Sequence, residues 1–161
     1  MSWYLLLKLA HILSVIAMLS GVIGRGLVRL RIPKITSFQV LQEILVLVGR
    51  FDELLVIRGS LLTLVTGLLL GWAGGWPYIV SGHPTWLCLA LLLFLSQQPF
   101  VFLVFIPRGK QFGKLFQVAL AEQRFTPELR AALADRAVRK ATIYEFVTFG
   151  LILGLMVLKP F

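Results

Sequence analysis

Trp3-Tyr4-Leu5-Leu6-Leu7-Lys8-Leu9-Ala10-His11-Ile12, and the apolar run that carries on to Gly24, decides the fold. Residues 3–24 make 22 positions, and a helix needs about 20 mostly apolar residues to cross the roughly 30 Å hydrocarbon core of a bilayer. Lys8 and His11 interrupt the run three residues apart, so they share one helical face, which continues through Ser14, Met18 and Gly21. Ionisable groups inside a span are costly and face a bundle interior or a water-filled cavity, which makes both residues functional candidates.

The rest of the chain has the same character. Its 161 residues are 58% hydrophobic and 14% charged, and the apolar residues come in long blocks rather than alternation, as in a single membrane domain. A leader peptide is a poor reading of the first block. No basic segment precedes it, and arginine rather than a small-x-small cleavage site follows Ser20-Gly21-Val22-Ile23-Gly24.

Three further spans follow, at about 54–74, 85–106 and 141–158, which predicts an all-α four-helix membrane bundle. Between them lie amphipathic helices at about 37–53, 111–123 and 127–140. The first of these either lies at the interface or extends the second span. Pro33 ends the first helix, and Thr36 or Ser37 is placed to cap the next. Thr126-Pro127-Glu128 reads as a sharp helix start, and Asp135 with Arg139 as an i,i+4 ion pair on a helix continuing into the fourth span. Gly67-x-x-x-Gly71-x-x-x-Gly75, with Ser60 and Thr63 nearby, and Gly150-x-x-x-Gly154 are stripes of small residues that let helices approach closely in lipid. Trp72, Trp76, Tyr78 and Trp86 surround a short turn with Pro77, Gly82, His83 and Pro84, as at a membrane–water boundary.

Net charge is +9, yet no nucleic-acid motif or aromatic-interleaved basic repeat accompanies it, so nucleic acid is excluded as a partner. Of the 16 Lys and Arg, all but Lys8, Lys159 and Arg58, which sits one turn inside the second span, fall in the two regions joining spans one to two and three to four. With four spans these regions share one side, and the positive-inside rule makes that side cytoplasmic. Both termini then face outward, and the cytoplasmic cations attract anionic lipid.

The candidate chemistry is sparse. A neutral imidazole at His11 is a good haem-iron ligand, with Lys8 placed to meet a propionate. The plainer reading has His11 bonding a neighbouring helix and Lys8 snorkelling to the surface. His83, Met18 and Met156 are second-ligand candidates of lower rank, and the single cysteine, Cys88, reads as a small buried hydrophobe. Gln97 and Gln98 beside Pro99 place amides at bilayer depth, where interhelical hydrogen bonding or a polar pathway would use them. Glu145 begins the fourth span near Arg139 and Lys140, as a rim ion pair or a proton carrier, and Arg58 sits one turn inside the second span, able to snorkel.

Lys8-x-x-His11-Ile12, with Gly21 ten residues beyond the histidine, resembles the opening helix of two related groups. One comprises the four-helix bacterial membrane protoporphyrinogen oxidases that use haem, with copper-resistance membrane proteins of similar build. The other is an uncharacterised family of predicted bacterial integral membrane proteins, similar over the whole chain. The resemblance implies haem b held by His11 with Lys8 beside it. Trp86-Leu87 matches the oxidases' approach to the third span, but Cys88-Leu89-Ala90 follows, with no lysine before Arg108, and no proline-arginine pair follows the first span. A haem-binding redox protein is therefore one expectation. A non-catalytic accessory or assembly subunit of a larger membrane complex, or a homo-oligomer, is the other.

Overall fold

A computed structural model describes residues 3–80 and 83–160, with residues 33, 79, 83 and 84 described through their backbone alone. The protein is all-α, with four helical stretches long and apolar enough to cross a membrane: Trp3–Arg31, Phe38–Ala73, Trp86–Glu122 and Pro127–Leu158. A pair of two-residue strands, β1 (Ile79–Val80) and β2 (His83–Pro84), is the exception among the described residues. Two compact units divide the chain, residues 1–77 and 78–161.

In the first unit, α1 (Trp3–Arg31) packs antiparallel on α3 (Arg58–Ala73). Glycine makes the close approach feasible. A Cβ on Gly21 would meet Val56 Cγ2 at 2.8 Å and Leu55 Cβ at 2.9 Å, and one on Gly59 would meet the Met18 backbone and Cβ at 3.2 Å. In lipid no hydrophobic drive brings helices together, so such backbone-to-backbone packing supplies the attraction. Of the α1 face read from the sequence, Ser14, Met18 and Gly21 are buried and His11 half-buried, whereas Lys8 is exposed. Towards the basic end, the Arg25 guanidinium donates to Asp52 at 3.3 Å, and Phe38 and Leu41 are buried.

The helix after Pro33 is not separate from the second span. α2 (Phe38–Phe51) runs through a wider π-helical segment, Asp52–Ile57, directly into α3. The resulting 36-residue rod is about 54 Å long at 1.5 Å per residue, well beyond the hydrocarbon core. No proline or glycine pair interrupts 50–57, so the helix continues with a local bulge. Ser37 takes the N-cap position without a side-chain cap bond.

In the second unit, α4 (Trp86–Leu95) starts at Thr85, whose hydroxyl accepts from the Cys88 N–H, and packs on α8 (Arg136–Leu158). After the Ser96-Gln97 turn, α5 (Gln98–Phe100), a π-helical segment Val101–Phe105 and α6 (Ile106–Glu122) follow without a break. The amphipathic segment expected at 111–123 is thus the end of the third rod. α7 (Pro127–Leu133) is capped by the Thr126 hydroxyl, which accepts from Leu129 N–H, as its sequence indicates. It does not run on into α8. Asp135 leaves the helix and accepts from the N–H groups of Ala137 and Val138, while its other oxygen takes Arg108 at 3.1 Å. The expected Asp135–Arg139 pair gives way because an N-capping carboxylate points back over its own helix start rather than down to i+4.

Candidate functional site

The His11 ring packs over Gly67 of α3: a Cβ on Gly67 would meet its Cε1 at 3.1 Å. His11 Nδ1 stands 3.0 Å from Thr66 Oγ1. Around this pair the hydroxyl protons are accounted for. Thr66 donates to the Leu62 carbonyl at 2.6 Å, Ser14 donates to the His11 carbonyl at 2.8 Å, and Thr63 donates to Ser14 Oγ at 3.2 Å. With the single Thr66 proton on the Leu62 carbonyl, the Thr66 oxygen is placed to accept from His11 in its Nδ1–H tautomer. In neutral His11 the Nε2 lone pair is then left over.

The plainer sequence reading, a histidine bonded to a neighbouring helix, therefore describes Nδ1, while Nε2 keeps ligand chemistry. A metal-ligating histidine ordinarily holds its other N–H on an acceptor, and Thr66 supplies one here. Among the described residues no three His, Cys, Asp or Glu side chains gather. One imidazole fits haem, whose porphyrin brings the equatorial nitrogens, better than it fits a bare divalent ion needing several protein ligands. Lys8, one turn nearer the N-terminus, is exposed. His83 belongs to β2, and its side chain lies outside the described residues.

The other candidates are dispersed. Arg58 is exposed and reaches Glu53 at 3.3 Å, an ion pair at the rim of the span. Glu145 is buried on α8. Ser60, expected on the glycine stripe, bonds its own helix at the Ile57 carbonyl. Gln98 is half-buried, whereas Gln97 is buried with no hydrogen-bond partner on its Nε2. The expected interhelical bond at this depth is made one residue earlier, between the hydroxyls of Ser96 and Tyr144 at 2.6 Å.

Thr66, Ser96 and Tyr144 escaped the sequence reading. Thr66 carried a signal, since Gly59, Thr63, Thr66 and Gly67 fall on one face at helical spacing. Ser96 and Tyr144 lie 48 residues apart with no local pattern joining them.

A family model described as predicted integral membrane protein (DUF2269) matches residues 5–160. No curated protein matches the chain, and no solved structure does.

Proposed function

The chain belongs to the DUF2269 family of predicted integral membrane proteins, and on that premise we propose that it is a bacterial inner-membrane protein binding haem b through His11 in a redox role. The observation behind this reading is the 3.0 Å contact between His11 Nδ1 and Thr66 Oγ1, with the Thr66 hydroxyl also 2.6 Å from the Leu62 carbonyl; the tautomer with its proton on Nδ1 suits both contacts and leaves the Nε2 lone pair for iron. Bound haem would supply one-electron chemistry. The protein's part is to hold the ring with Thr66, to brace that contact with Ser14 and Thr63, and to offer Lys8 to a propionate. Both termini lie outside in this reading, and the two basic regions lie inside against anionic lipid.

Absorption of the detergent-extracted protein tests it. A Soret band is expected, lost in His11→Ala and retained in Lys8→Gln with weaker retention of haem. A protein with no Soret band after haem supplementation would refute the cofactor.

One observation favours a second reading, an accessory or assembly subunit of a larger complex. Gly150 and Gly154 on α8 have open space where a Cβ would stand, beside exposed Val147 and Leu151. Purification in mild detergent separates the readings: an accessory subunit co-migrates with stoichiometric partners, and a self-sufficient haem protein does not.

A further inference from the structure

We propose that the second unit carries a binding site for a membrane-soluble quinone, built on Gln97 and independent of haem at His11. Gln97 is only 8% exposed, and its Nε2 donates to nothing. Native proteins rarely bury an amide donor without an acceptor, so such a group needs an explanation.

The surroundings define what is missing. Ser96 donates its proton to the Leu93 carbonyl at 2.7 Å, so the Tyr144 hydroxyl is the donor in the 2.6 Å contact with Ser96 Oγ. Both hydroxyl protons are thereby spent. Pro99 withholds the N–H that the Leu95 carbonyl would accept in a regular helix, and the Gln97 and Phe100 N–H groups turn to Phe94 and Gln97 carbonyls instead. Gln97 Nε2 is thus a strong donor without an acceptor, beside a turn where Pro99 offers no N–H to the Leu95 carbonyl. A flat wall adjoins them: the Phe100 and Tyr144 rings stack with centroids 4.5 Å apart.

The occupant must bring an oxygen acceptor. At this depth in a membrane span a charged phosphate or carboxylate is costly to bring in. A neutral carbonyl remains. Gln97 is 11 residues into the helix from Trp86, about 16 Å at 1.5 Å per residue, deeper than the interfacial layer that holds lipid ester carbonyls. A quinone brings a neutral carbonyl on a flat ring to that depth, where the aromatic pair offers it a face.

The test uses the full chain in ester-lipid nanodiscs, with glutamine side chains labelled with nitrogen-15 and decylubiquinone as the probe. The amide resonance absent from Gln97→Leu is expected to move saturably with decylubiquinone, and Gln97→Leu to bind it at least tenfold more weakly. No movement of that resonance, or equal affinity in Gln97→Leu, overturns the proposal. Movement on exchanging ester for ether lipid, without a response to decylubiquinone, assigns the donor to lipid and also overturns it. If Gln97→Leu fails to fold, the wild-type resonance, identified through Gln97→Asn, decides alone. Haem is read separately from the Soret band, so the quinone site and the haem site fail or stand independently.

Discussion

Replacing Gly21 by alanine should cost more than its single added methyl suggests. Its Cβ would stand 2.8 Å from Val56 Cγ2, 2.9 Å from Leu55 Cβ and 3.3 Å from the Val56 backbone nitrogen. Two of these neighbours are backbone or anchored directly to it, so no rotamer change relieves the overlap and α1 must move off the second rod. Overpacking of this kind costs about 1–3 kcal/mol. Alanine returns up to about 1 kcal/mol through helix propensity. The displacement also stretches the Thr63–Ser14 and His11–Thr66 bonds two and three turns away, each worth about 0.6 kcal/mol in a membrane. A net loss of about 1–2 kcal/mol follows. Gly150→Ala is the matched control: nothing lies within 4 Å of its Cβ position, so it should be neutral or stabilising by up to about 1 kcal/mol. Reversible unfolding in mixed detergent micelles reads both. Adding Val56→Ala to Gly21→Ala should recover part of the loss in a double-mutant cycle. A Gly21→Ala protein as stable as the parent, or a cycle with no coupling, would refute the close-packing account.

Four further outcomes follow from the structure. Gln97→Leu should stabilise the ligand-free protein by about 1–3 kcal/mol, since it removes a buried donor that makes no bond, and a loss of stability in the same unfolding assay would show that the amide is satisfied. Asp135→Ala should cost about 0.5–2 kcal/mol, chiefly the N-cap of α8, while Arg108→Ala should cost little because half of that side chain is exposed. Thr66→Val should weaken haem retention about 10–100-fold by freeing the His11 ring, read as Soret loss on dilution, with unchanged retention counting against the His11 assignment. In a Cys88→Ala background, Arg31→Cys and Lys114→Cys should both react with a membrane-impermeant maleimide only after the cytoplasmic face is opened. Labelling of one but not the other would break the shared-side topology.

The spans were legible because continuous apolar stretches admit one economical reading at these lengths. Their faces were partly legible too: Ser14, Met18 and Gly21 repeat at helical spacing and do pack, and Gly67 does receive a neighbouring side chain. The continuation of the second and third spans into their amphipathic segments was not. A π-helical segment needs only one extra residue in the hydrogen-bond ladder, and no proline, glycine or capping residue announces it. Asp135 illustrates a different limit. Its i+4 arginine is plain in the sequence, but the choice between capping and pairing depends on where the chain turns, and Arg108 is 27 positions away. Gln97 was visible as a polar oddity, whereas its lack of an acceptor emerges only once Ser96 and Tyr144 have taken each other.

The wide segment Asp52–Ile57 also acts as a phase setting. Wound as a regular α-helix, the same residues would swivel everything before them by about 100° relative to the lipid-embedded portion, a rotation that the wide turn absorbs. Phe38 and Leu41 would swing away from their present contacts, and Asp52 would no longer meet Arg25. Inserting a further residue in this short stretch, which already absorbs one, should therefore be tolerated far less well than substitutions at the same positions.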